Sequence, residues 1–280
     1  MRHDLVRTLK VALLTAAACQ LWLQPAFAVV FPDKNLEAAL RALVFEKKAN
    51  TDELTDDDLR KISTLEAKGR QIQNLAGLEK CANLLLIDLS NNEISDLTPI
   101  KGLISLQSLS LAQNKIADLT PLMDLNKLQY LNLSNNQIKA LQPLSAMTKL
   151  SALYLAENQI VELAPLAGLA GLSSLDLAKN KIVDIKPLGG IARFSILKLS
   201  DNAIEDITPA TQHPPQSMLF VERNKIADLA ALVAAAKADA EGKKNFAPFL
   251  RLYLTGNPLT EAAKNEQLST LKTSGVRIEN

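Results

Sequence analysis

Leu106-Gln-Ser-Leu109-Ser-Leu111-Ala-Gln-Asn114-Lys-Ile116-Ala-Asp-Leu119-Thr-Pro121-Leu122-Met-Asp-Leu125 is the stretch on which the reading turns. The same pattern starts again at Leu128, Leu150 and Leu172, and in weaker form at Phe194; looking backward, a full copy starts at Leu84. Asn92, Asn114, Asn136, Asn158, Asn180, Asn202 and Asn224 are each separated by 22 residues. Self-similarity at a fixed period of this length marks a stacked repeat architecture. Within each copy, L-x-x-L-x-L ends in the period-2 alternation of a strand with one buried face. The Asn that follows has two donors and an acceptor for backbone groups left open where the chain turns. The later I-x-x-L-x-P-L makes the return leg, where Pro fixes φ and stops any pairing. One coil cannot bury its own apolar face, so neighbouring coils must stack.

Both ends depart from the period as capping units should. Ile62-x-x-Leu65-x-Ala67 opens a degenerate coil in which Arg70 replaces the Asn and Cys81 fills an apolar slot. Cys81 therefore reads as a small buried filler. Before it, Leu36, Ala39, Leu40 and Leu43 share one helical face, Asp33 suits the N-cap, and Thr55 to Asp58 resembles a capping box. Toward the other end the next match to the pattern is Phe249-x-x-Leu252-x-Leu254-x-x-Asn257, which lengthens that coil to 33 residues. Asp228 to Ala240 reads as a helix in the insertion, Glu261 to Leu271 as a final helix, and Val276 to Ile278 as a last strand. The division expected is a leader at 1–28, a helical N-terminal cap at 29–61, about nine coils at 62–259 with an insertion near 228–248, and a C-terminal cap at 260–280.

The 22-residue consensus resembles the bacterial internalin-type leucine-rich repeat. Val30-Phe-Pro-Asp33, the helical cap and Ser63-Thr-Leu-Glu-Ala-Lys-Gly69 look like that family as well. The resemblance implies an α/β fold: a curved leucine-rich repeat solenoid with a parallel β-sheet on its concave face. Relatives of this kind are usually secreted or surface-exposed and bind other proteins.

Composition narrows the function classes. The chain has 280 residues, 52 of them Leu, with only 4% aromatics, so a single packing solution is used repeatedly. Basic and acidic residues number 31 and 30, which argues against nucleic acid as a partner. Residues 1–28 read as an export signal: Arg2, Arg7 and Lys10 precede an apolar run, and Ala26-Phe-Ala28 fits a cleavage site. That run is too short to span a bilayer. Cleavage there gives a secreted or periplasmic, envelope-associated chain of net charge −1 with no transmembrane segment; lipidation at Cys19 is the weaker alternative. If the leader stays attached, a cytosolic scaffold is the reading.

No enzyme constellation emerges. His213 stands alone beside two prolines, and no phosphate loop, calcium loop or Cys/His metal set occurs, so no cofactor or metal is expected. Paired carboxylates such as Asp176 with Glu157 are a remote possibility for hydrolysis. Asp96, Asp118, Glu162, Asp184, Asp206 and Asp228 share one repeat position and read as caps of the following turn. The outward positions of the strands carry more. Tyr130 and Tyr154 should be diagonal neighbours ringed by Asn132, Glu157 and Lys179. Ile196, Met218, Phe220 and Tyr253 should form a second patch edged by Lys198, Glu222 and Arg223. Exposed aromatics and Met beside Arg suit an interface with another protein, host or cell-surface. A glycan stacking on the same Tyr residues is the runner-up.

Overall fold

The computed structural model describes residues 29–192 and 194–279. The leader, with Cys19 and Ala28, lies outside them. Ten three-residue strands form one parallel sheet in sequential order. They are β1 (Thr64–Glu66), β2 (Leu86–Asp88), β3 (Ser108–Ser110), β4 (Tyr130–Asn132), β5 (Ala152–Tyr154), β6 (Ser174–Asp176), β7 (Ile196–Lys198), β8 (Met218–Phe220), β9 (Arg251–Tyr253) and β10 (Arg277–Glu279). Each residue meets its equivalent in the next coil, as in Ser108↔Tyr130↔Ala152. The same register carries across the insertion, where Met218 meets Arg251. The central residue of every strand from Leu65 to Leu252 is buried, and its two flanking residues face outward.

Local chemistry ends each strand at the same place. Gly69, Asn91, Gln113, Asn135, Glu157, Lys179, Asp201, Arg223 and Gly256 all have positive φ, and seven of these nine are not glycine. The next residue stabilises that bend. The Oδ1 of Asn158 accepts from the Ile138 amide at 3.0 Å, while its Nδ2 donates to the carbonyls of Leu133 at 3.0 Å and Leu155 at 3.1 Å. One side chain thus joins two coils and satisfies groups that the turn leaves open. Asn257 makes the same bridge to Ile226, Val221 and Leu254 across the longer coil. Among the described residues, every buried side-chain nitrogen and oxygen has a hydrogen-bond partner.

The return legs are 3₁₀ turns with Pro in their first two positions, at Thr98–Ile100, Thr120–Leu122, Gln142–Leu144, Ala164–Leu166 and Lys186–Leu188. Asp96, Asp118, Asp184, Asp206 and Asp228 each accept from the amide two residues on, as the local turn reading expects, whereas the longer Glu162 in the same column makes no such bond among the described residues. Their spacing is that of turn formers, and among the described residues no group of His, Cys, Asp or Glu is placed to hold a metal. Where Ala140 interrupts this column, a surface hollow of about 460 Å³ opens between Asp118, Met123, Gln142 and Pro143.

Helices cover the ends. In α1 (Lys34–Arg41), Asp33 accepts from Asn35 and Leu36 with one oxygen, and from Gln73 and Asn74 with the other, which ties the cap to the first coil. Burial opposes the charge, but these four amides hold its carboxyl below the usual range. The expected capping box of Thr55 and Asp58 opens α2 (Asp56–Arg60). Cys81 is fully buried, and burial followed by the nearby Glu79 pushes its thiol up to about 12.

The late coils differ from expectation in four details. A true helix, α3 (Thr208–Gln212), replaces the 3₁₀ turn. The insertion does form the expected helix, α4 (Ala230–Glu241), whose end is held by Asp239 accepting from the amides of Asn245, Phe246 and Ala247. Phe249 is not the core residue of its coil: it is 63% exposed, and Leu250 takes the buried slot, because the insertion re-enters the coil one residue out of phase. The final helix contains a π turn at Ala263–Gln267 before α5 (Leu268–Thr273), and Gln267 there binds both Leu229 and Asp228. The last strand is displaced by one residue from the expected Val276–Ile278.

Candidate functional site: the concave face

Two columns of side chains project from the front of the sheet. In one, Leu86, Ser108, Tyr130, Ala152, Ser174, Ile196, Met218, Arg251 and Arg277 are neighbours in turn. In the other, Asp88, Ser110, Asn132, Tyr154, Asp176, Lys198, Phe220, Tyr253 and Glu279 follow the same order. The chemistry changes along their length. At the N-terminal end the side chains beside Leu86 are short and polar, and the Asp88 carboxylate is taken up by the amide and hydroxyl of Ser90.

In the middle, the rings of Tyr130 and Tyr154 lie 5.5 Å apart and are tilted at 46°. Burial pushes the Tyr130 phenol above its ordinary pKa. Asn132, two residues after Tyr130, is the register neighbour of Tyr154, its Oδ1 accepting from the Ser134 amide. Toward the C-terminal end, Phe220 and Tyr253 stack almost parallel, at 4.2 Å and 9°. On the strand at the other side of Phe220, Lys198 places its Nζ 5.6 Å from the ring centre and 3.3 Å from Asp176. Phe220 is thus flanked by a ring and an ammonium group, and its free edge is what faces solvent. Ile196 and Met218 pair beside this row.

Glu157, Lys179 and Arg223 sit elsewhere than on the strands. They belong to the positive-φ column at the strand ends, where they form a ridge beside the aromatic rows. Lys179 binds Glu157 at 2.7 Å, and Asn135 donates to the same carboxylate at 3.3 Å. Arg223 makes a two-pronged contact to Asp201. The Glu157 hydrogen bond raises the Lys179 pKa, and the Arg223 hydrogen bond holds Asp201 low. Asp176 and Glu157 are therefore engaged with different cations, Lys198 and Lys179. Sequence reasoning missed this ridge geometry because its left-handed positions are mostly not glycine.

His213 closes α3, on the side of the coil opposite the strands. It borders a hollow of about 480 Å³ with Asp239, Lys243 and Asn245, and no Ser or Cys lines it. The Asp239 carboxylate already accepts three backbone amides. No helix among the described residues is long and apolar enough to cross a membrane.

A repeated, regular back and an open, varied front define a protein-interaction repeat protein. The family model described as leucine rich repeats (2 copies) matches residues 82–123, 104–146 and 126–171. Among solved structures, internalin C2 of Listeria monocytogenes is similar at 31% identity, with a TM-score of 0.70, covering 82% of this chain and 95% of that one. An internalin of the same organism, InlF, superimposes over 92% of this chain and 94% of its own, at 24% identity and a TM-score of 0.69. The functional domain of InlJ, which includes a cysteine ladder, shares the fold at 23% identity and a TM-score of 0.63, covering 90% of this chain and 56% of that one. No curated protein sequence matches. The chain belongs to the internalin-type leucine-rich repeat family.

Proposed function

We propose that this is an exported, non-enzymatic binding protein whose concave face recognises another protein. The observation that carries the reading is the row Phe220 and Tyr253 beside Ile196 and Met218, half-buried, apolar and open to solvent on the sheet, with Lys198 at its edge. Aromatic and Met side chains held rigidly lose little entropy on binding and serve as interface anchors. The leader at 1–28 supports export. The runner-up, a cell-envelope glycan, needs an open ring face for stacking. Phe220 has a neighbour over each face, so the tilted Tyr130–Tyr154 pair is the better platform for a sugar.

Intact mass of the native protein tests export: loss of residues 1–28 is expected, and an unprocessed chain supports the cytosolic scaffold. For the face, benzoylphenylalanine at position 220 should crosslink a discrete protein, and the same group at Met123 on the far side should not. Equal yields at both positions would sink the concave-face assignment. Retention on isolated wall polysaccharide, lost in Tyr154→Ala and kept in Phe220→Ala, would select the glycan reading.

A further inference from the structure

The C-terminal end of the concave face carries a feature that its fold does not require. Arg251 on β9 and Arg277 on β10 are direct cross-strand partners, so two guanidinium groups leave the same face side by side. Like charges directly opposite one another destabilise a sheet. Both are exposed, and the nearest carboxylate to Arg251, that of Glu279, is 3.9 Å away. Among the described residues no ion pair engages Arg277. Lys198, in the middle of the face, has Asp176 at 3.3 Å, and the other like-charged register pair is the acidic one at the opposite end, Glu66 with Asp88. Protection of the sheet edge accounts for a charge on β10. It does not account for Arg251, which is on an interior strand between Met218 and Arg277. Glu279 offsets only part of this repulsion, and an uncompensated cation on an interior strand is where a partner's charge has a place to act.

The surroundings say what such a doublet suits. Met218 is the register neighbour of Arg251, and Ile196 that of Met218, so the column runs apolar, apolar, cationic, cationic. Phe220 and Tyr253 stack alongside in the second column. At the far end of the face the charged residues on the strands are acidic, Glu66 and Asp88. A partner segment lying along the sheet meets opposite potentials at its two ends, and this fixes its direction as well as its affinity.

We infer that Arg251 and Arg277 receive carboxylates of an acidic protein segment whose apolar side chains seat on Ile196, Met218 and Phe220. This rests on the concave face being the binding surface and specifies the chemistry of what it binds. Arg suits the role because its planar fork takes a carboxylate with two parallel hydrogen bonds. An anionic polysaccharide would meet the same two cations, but it would leave the apolar half of the column unused.

The test uses the full chain and synthetic peptides alternating Leu and Phe with Glu, with Lys or with Gln, plus heparin as a polyanion without apolar groups. The Glu peptide should bind at least about tenfold more tightly than the Gln peptide at low salt, and the difference should shrink as salt is raised. Arg251→Glu with Arg277→Glu should reverse the preference toward the Lys peptide, while circular dichroism and thermal melting stay near wild type. Met218→Ala should weaken the Glu peptide without altering its advantage over Gln. Three outcomes overturn the inference: no binding of the Glu peptide at about 1 mM, no preference between the Glu and Gln peptides, or a preference that survives charge reversal. Binding without preference that is lost in Phe220→Ala leaves the concave face standing and removes only the doublet. Binding that survives both Phe220→Ala and charge reversal removes both. Heparin binding that exceeds the Glu peptide and ignores Met218→Ala assigns the doublet to polyanions instead.

Discussion

The front of β2 and β3 and the front of β7 to β9 rest on the same back. Leu109 and Leu197 are equally buried behind them, and Asn92 and Asn224 make the same bridges between coils. In front, one half presents Leu86, Asp88, Ser108 and Ser110, and the other presents Ile196, Lys198, Met218 and Phe220. The alternation of a strand separates the two tasks: the inward residue holds the stack, and the outward residues are free to differ. If this is right, substitutions behind the sheet should cost the same in both halves, whatever stands in front.

The largest effect should come from the core. Leu109→Ala and Leu197→Ala should each lose about 2–5 kcal/mol in denaturant unfolding, and by similar amounts. A marked difference between the two would show that the front contributes to packing after all. Next, Asn92→Ala and Asn224→Ala each strand at least one amide and two carbonyls, so each should cost roughly 2–4 kcal/mol.

The clasp at Asp239 is matched in the N-terminal half by Asp33, which accepts four amides. Burial disfavours the Asp239 charge, yet three amides hold its carboxyl below the ordinary range. Because the folded pKa is depressed, its contribution is complete above the range of a free carboxylate and is lost as pH falls through the lower folded value. Asp239→Asn should therefore cost about 1–3 kcal/mol at neutral pH and progressively less in acid. A deficit that does not change with pH would assign the cost to shape rather than charge. The smallest effect belongs to the strand ends. Gln113→Val and Lys179→Val both force a β-branched residue to positive φ, at about 1–2 kcal/mol each. Melting temperatures should nearly coincide, since an exposed pair such as Lys179–Glu157 adds little.

Sequence legibility followed the period. Seven Asn at a spacing of 22 specify the register of the sheet, and with it the contact of Tyr130 with Tyr154 and the order of both outward columns. The Asp column was readable because an Asx turn is local, complete within three residues. What stayed hidden depended on backbone or on distant parts. Nothing in Glu157, Lys179 or Arg223 announces a left-handed bend, because the following Asn imposes it from outside the residue. The slip from Phe249 to Leu250 needed the exit geometry of an insertion that has no equivalent copy to compare. Gln267 acts through a π turn, which leaves no apolar periodicity to read. Arg277 became a neighbour of Arg251 once the last strand moved by one residue.

The ridge at the strand ends bears on how such a chain can lengthen or shorten over generations. Glu157, Lys179, Asp201 and Arg223 alternate in sign from coil to coil. Removing the single unit that carries Lys179 or Asp201 brings two like charges together, whereas removing both together preserves the alternation. Excision of residues 158–179 would set Glu157 beside Asp201, and the shortened protein should be weakened more at low ionic strength than at high. Over these four coils the alternation works as a weak parity check, in which two units are lost at slightly less cost than one.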